Sequence, residues 1–276
     1  MVAVPAEPGP THRSDREKLF RRSPRLWRAM MRINRAVIGL TGRLEVTGDV
    51  PTESEGPMLM VANHIGNIDP LVLVAACHER RIAPRFVATG GLFNTPVLGA
   101  VMRNAGHVRA DRGKATAAEA LGYAVASLTE DSRPLIVYPE GRITLEPDMW
   151  PERGKTGAAR MALASGAQVV PISQWGAHET MCYGMVRVRT ARDLWILFSS
   201  WLRAVRRRPV LRVHFGAPVD LTDLSPERVG DAARARDRMM RAVTEGLADL
   251  RVGELGHPHH RDPTRPATTK RSPYRA

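Results

Sequence analysis

Six short apolar runs, separated by longer stretches with helical spacing, leave few folds open to this chain. The runs are RLEVTG (43–48), PMLMVA (57–62), RFVA (85–88), PLIVY (134–138), QVVPI (168–172) and VLRVHF (210–215). They are too short for stable helices and rich in Val, Ile and Leu, so they read as strands. Between them, residues 70–79, 114–130, 154–165 and 226–251 carry helical spacing. The last opens at Ser225-Pro226 and lines up Val229, Ala233, Met239, Val243 and Leu247 on one face. Strands alternating with helices predict the α/β class, with a mixed central sheet flanked by helices. At 276 residues and 43% hydrophobic content the chain has material for one large core.

The flanks differ in character. Residues 1–16 and the basic tail 256–276 carry Pro and charge with almost no apolar content, which predicts disorder. His257, His259 and His260 in that tail read as part of a solvated linker. Residues 17–41 hold a basic amphipathic helix, with Leu26, Met30, Ile33 and Val37 along one stripe and Arg28, Arg32 and Arg35 opposite. Its apolar side suits either the domain or a lipid interface. A second such segment, DLWILFSSWLRAVRRR (193–208), reads either as a core helix with a solvated basic end or as tryptophans and arginines at headgroup depth. The remaining stretch, 42–255, is expected to form the main domain.

The formal net charge of +13 predicts attraction to a polyanion, either nucleic acid or an anionic membrane. Aromatic residues make up only 5% of the chain and no stacking or helix-turn-helix signature appears, which disfavours nucleic acid. The N-terminus lacks the apolar centre of a signal peptide, and no run reaches the length of a spanning helix, so the expectation is a peripheral protein on the cytoplasmic face of the cell membrane. Cys77 and Cys182 are too far apart in sequence to suggest a disulfide framework or a clustered zinc site.

The stretch VANHIGNIDP (61–70) carries the chemistry. Asp69-Pro70 is a helix start, with Asp as N-cap and Pro in the first turn, so His64 falls in the turn after a strand. A bend there lets His64 and Asp69 meet above the strand end, where open α/β sheets place ligands. A carboxylate on one imidazole nitrogen fixes the tautomer and makes the other nitrogen a general base. Alone, this pair reads more simply as a cap and a polar loop residue. A metal hydrolase is disfavoured because no third ligand has suitable spacing, and no metal is expected.

Three further segments extend the pattern: NAGHVRADRG (104–113), VYPEGRIT (137–144) and VVPI (169–172). Together with the first, they resemble the four ordered motifs of glycerolipid acyltransferases, specifically the 1-acylglycerol-3-phosphate (lysophosphatidate) acyltransferases, over roughly residues 43–216. The resemblance implies acyl transfer from acyl-CoA, or from acyl carrier protein, to the free hydroxyl of a lysophospholipid acceptor. His64 would be the base and Asp69 its orienter, with acyl-CoA as co-substrate and no cofactor.

The same resemblance implies that Arg112, Glu140 and Gly141 bind phosphate and glycerol and that Pro171 lies near the acyl donor. The third motif usually reads E-G-T-R-S. Here it reads Glu140-Gly141-Arg142-Ile143-Thr144, so Arg142 is the candidate for the displaced charge and the acceptor is left open to glycerol 3-phosphate, another lysophospholipid or a glycolipid. Lys155, in RGKTG, lacks the glycine spacing of a nucleotide loop but stands at a helix start where it can reach a phosphate. Cys182 reads as a small buried residue rather than a nucleophile.

Overall fold

The computed structural model describes residues 17–51, 56–110, 116–131, 133–181, 190–261 and 266–275. The calls on residues 1–16, Arg112 and Cys182 lie outside them. A seven-stranded sheet organises the domain, in the order β1-β7-β6-β2-β5-β3-β4. Its strands are β1 (Arg43–Gly48), β2 (Met58–Ala62), β3 (Arg85–Ala88), β4 (Val108–Arg109), β5 (Leu135–Val137), β6 (Gln168–Trp175) and β7 (Val210–Phe215). Neighbours pair in parallel except β6 with β7, so β1 and β7 run against the other five. The sheet is therefore mixed, as the sequence implies.

Helices cover both faces. In chain order they are α1 (17–22), α2 (Arg25–Thr41), α3 (Asp69–Glu79), α4 (Gly90–Phe93), α5 (Pro96–Asn104), α6 (Thr116–Glu130), α7 (Gly157–Ser165), α8 (Ala191–Arg207) and α9 (Asp231–Leu250). Helices α2 and α3 bury Trp27, Met31, Val72 and Ala76 against Met60, Ala62 and Ile172 of the sheet. On the other face, α6, α7 and α9 bury Leu128, Ala159, Met239 and Val243 against Leu59, Val61 and Val169. Residues 59–62 thus alternate between two cores, which is why β2 is fully buried and reads as a continuous apolar run.

Several boundaries differ from the sequence reading. The last helix starts at Asp231 rather than 226, because Gly230 takes a left-handed φ of 93° and the Asp231 carboxylate accepts the Ser225 N–H at 2.8 Å. Val229 is therefore 98% exposed instead of joining the apolar face. Helix α8 is no core helix: Ser200 and Ala204 are its buried residues. In α2 the apolar side divides, with Trp27, Met31 and Ile38 buried and Leu26, Ile33, Val37 and Leu40 exposed. The tail, read as disordered, lies along the loop before α7 over its described residues. Thr268 N–H donates to Leu145 O at 2.8 Å, Ser272 to Pro151 O at 2.7 Å, and His257, Arg271 and Arg275 all engage Asp148.

Candidate active site

The C-terminal ends of β2, β5 and β6 converge on one turn. Strand β2 ends at Ala62, and Asn63 continues its link to β6 with side chains: Asn63 Nδ2 donates to Gln174 O at 3.0 Å, and Gln174 N–H donates to Asn63 Oδ1 at 2.9 Å. Gln174 Nε2 adds a third bond to Asn63 O at 2.7 Å. These three bonds tie the end of the strand to β6 and deliver His64 to the sheet's edge.

Asp69 is the first residue of α3, not its cap. Ile68 takes the cap position and contributes no side-chain hydrogen bond. The carboxylate instead turns back over the loop, where Oδ2 accepts the N–H groups of Ile65 at 2.5 Å and Gly66 at 2.9 Å. The same oxygen meets His64 Nδ1 at 2.8 Å. An ionised carboxylate only accepts hydrogen bonds, so Nδ1 carries the proton and Nε2 is the basic nitrogen. Asp69 is fully buried whereas the His64 side chain is 17% exposed, so the carboxylate is dry and the imidazole reaches solvent. Tyr138 stacks on the imidazole, ring centroids 4.2 Å apart and 18° from parallel.

Glu140 is tied to the backbone on both carboxylate oxygens. It is buried, and each carboxylate oxygen accepts a backbone N–H at 2.9 Å, Oε1 from His64 and Oε2 from Glu152. Burial pushes its pKa up to about 8, against the pull of those two donors. Glu140 therefore braces the histidine. A second brace follows, with Thr144 N–H donating to His64 O at 2.7 Å.

Gly141 turns with a φ of 66°, the left-handed region that favours glycine. A Cβ there would sit 3.6 Å from Lys155 Nζ, so the lysine lies along this turn, anchored by its N–H to Pro139 O at 2.7 Å. Arg142 is half-exposed and ion-paired to Glu152 at 2.7 Å. The glutamate's other oxygen accepts the Leu145 N–H at 2.7 Å. His64, Asp69, Glu140, Gly141, Arg142 and Lys155 thus share one neighbourhood.

Pro171 stands apart from it. The residue is buried in mid-strand, in register with Val61 on the face covered by α6, α7 and α9, and its ring abuts Gly216. Its place is inside the sheet. Sequence reasoning missed Tyr138, Glu152 and the Asn63–Gln174 pair. Only the position of Tyr138, two residues before Glu140 at a strand end, carried a signal.

Gly66 exposes a gap in the site. Asp69 Oδ1 is buried without a hydrogen-bond partner, and a Cβ on Gly66 would lie 3.6 Å from it, in ordinary contact. Gly66→Ser is expected to place a hydroxyl on that oxygen and raise stability by about 1 kcal/mol, aided by the lower entropy of the unfolded chain. Thermal melting checks this, and a lowered midpoint would show that the hydroxyl does not reach.

With this geometry in place, the relatives decide the family. The model of the Acyltransferase family matches residues 43–175, from β1 to the end of β6, and so contains every part of the site. Residues 43–175 are an acyltransferase-family domain. The chain is 26% identical over 239 residues to a 1-acyl-sn-glycerol-3-phosphate acyltransferase of Neisseria meningitidis, covering 82% of this chain and 84% of that one. It is 33% identical over 142 residues to an uncharacterised protein of Mycobacterium tuberculosis, covering 50% of this chain but only 38% of that protein. In fold, the domain and its flanks match the crystal structure of the 1-acyl-sn-glycerophosphate acyltransferase PlsC from Thermotoga maritima. The TM-score is 0.54 at 20% identity, with 86% of this chain and 79% of that one covered.

Proposed function

We propose that the acyltransferase domain moves a fatty acyl group from acyl-CoA to the free hydroxyl of 1-acylglycerol-3-phosphate, giving phosphatidic acid. The observation that carries this reading is the 2.8 Å contact of His64 Nδ1 with a buried Asp69, set beside the turn of Gly141 and Lys155. His64 Nε2 takes the proton of the acceptor hydroxyl as its oxygen bonds to the thioester carbonyl carbon. The tetrahedral intermediate then expels the thiolate, which recovers that proton from the imidazolium, so no acyl-enzyme forms. Asp69 stabilises the imidazolium throughout.

Lys155 and Arg142 are cations suited to the acceptor phosphate, and Arg112 is the third candidate. Lys155→Ala is expected to raise KM for lysophosphatidate roughly tenfold or more with kcat retained, because a charged hydrogen bond is lost without touching the base. Initial rates against acceptor concentration check this.

The donor is acyl-CoA in this reading, and the chain's basic charge also suits an acidic acyl carrier protein. The enzyme works as a peripheral protein on the cytoplasmic face of the cell membrane, where its lipid acceptor resides. The deciding experiment offers the full chain a panel of lysolipids, glycerol 3-phosphate and glycolipids, with acyl-CoA or acyl carrier protein as donor, and identifies products by mass spectrometry. Phosphatidic acid formed by the parent and absent with His64→Ala supports the assignment. Equal product from both overturns it, and preference for another acceptor moves it to that acceptor.

A further inference from the structure

Two helices outside the catalytic turn leave apolar side chains uncovered on adjoining surfaces. On α8, Leu194, Trp195, Phe198 and Leu202 are 59%, 66%, 50% and 47% exposed. The rings of Trp195, Phe198 and Trp201 follow one another at centroid separations of 6.0 Å, so they form a ladder along the helix. The ladder is fastened to α2 by Trp201 Nε1, which donates to Thr41 Oγ1 at 2.9 Å, and by Arg208, which donates to Gly39 O at 3.1 Å. The turns of α2 that receive it carry exposed Val37 and Leu40. Projected at 100° per residue, Arg192, Arg203 and Arg206 border the apolar stripe of α8, and all three are exposed.

We propose that the exposed face of α8, together with the uncovered half of α2, docks onto an anionic lipid bilayer. Uncovered apolar stripes of this kind mark interaction surfaces, and the arginine border selects the partner. A second copy of the chain fits poorly, since two-fold pairing sets the same patch against itself and brings those arginines together. A bilayer supplies an apolar interior for the ladder and negative headgroups for the guanidinium groups, with tryptophan at the boundary between them. The placement also serves the site. Asn34 of α2 donates to Leu71 O at 2.8 Å, in the first turn of α3 and two residues from Asp69, so docking α2 brings the catalytic turn toward the lipid. The surface deepens the lipid-acceptor reading and rests on it only for the choice of a lipid partner.

The test is co-sedimentation of the full chain with phosphatidylcholine vesicles, with phosphatidylcholine–phosphatidylglycerol vesicles, and with duplex DNA in solution at matched ionic strength. Binding is expected for the phosphatidylglycerol vesicles, weakening with salt. Trp195→Ser/Phe198→Ser should lower the partition coefficient about tenfold or more, since each ring leaves the interface. Arg203→Glu/Arg206→Glu should lower it by roughly 30-fold or more, at about 1 kcal/mol per lost cation. Circular dichroism and melting report the fold of each variant. Turnover of detergent-dispersed lysophosphatidate by the aromatic variant should equal the parent's.

Parent-like partition of both folded variants overturns the proposal. So does a parent dimer that the aromatic variant converts to monomer without vesicle binding, or preference for duplex DNA over anionic vesicles. Vesicle binding as expected, in a parent that transfers no acyl group, leaves the docking surface standing and defeats the acyl-transfer reading instead.

Discussion

Replacing His64 by Ala should cut kcat for acyl transfer by about 10²- to 10⁴-fold, the usual worth of a positioned general base, and leave the fold intact. The side chain is part-exposed, so its loss creates no closed cavity. Asp69→Asn is the more informative companion. One carboxylate oxygen holds two backbone N–H groups and the imidazole, so a neutral amide serves those donors with an uncharged oxygen and buries its NH2 where Oδ1 has no partner. The Asn variant should therefore lose activity comparably and also lose about 1–3 kcal/mol of stability. Steady-state rates and chemical denaturation of both variants check this. Wild-type turnover in two folded variants would remove the base from the mechanism.

Glu140 carries the second large effect. Glu140→Ala leaves the N–H groups of His64 and Glu152 without their acceptor in a buried setting, at about 2–5 kcal/mol, and frees the histidine's backbone. Stability and kcat should fall together. The pH dependence has a definite sign. The carboxyl is raised from 4.5 to about 8 in the folded protein, chiefly by burial, so between those values the folded state keeps a proton that the unfolded chain has released. Stability therefore declines as pH rises through that window. Glu140→Gln cannot titrate, and its deficit relative to the parent should narrow from acid to mildly alkaline pH. Denaturation curves across the window decide the point, and a deficit independent of pH would contradict the assignment.

What was readable in the sequence follows from how locally each feature is determined. Strands β1, β3 and β7 fall within the apolar runs because short Val- and Leu-rich segments bounded by turns carry their own signal. The stretch from α4 to β4 was invisible. Glycine and proline interrupt TGGLFNTPVLGAV, and β4 is two residues long, defined by pairing with Val87 and Ala88 rather than by its own pattern. At the site, the bend joining His64 to Asp69 was legible because only four residues separate them. The bracing of His64 by Glu140 was hidden because the two lie 76 residues apart in sequence. A Glu-Gly turn in isolation looks alike whether it faces ligand or backbone. The exposure of α8 was equally hidden, since amphipathic spacing reports an apolar face and not what covers it.

The polar seam between the C-terminal segment and residues 145–153 reaches further than its location suggests. That loop carries Glu152, whose N–H closes the second half of the Glu140 clamp, and Asp148 within it is gripped by three residues of the tail. Clipping the chain near Gly256 should therefore slacken the seat of His64 from behind and lower turnover with the His64–Asp69 pair still present. A segment with almost no oily content thereby becomes a tensioning cord for the chemistry.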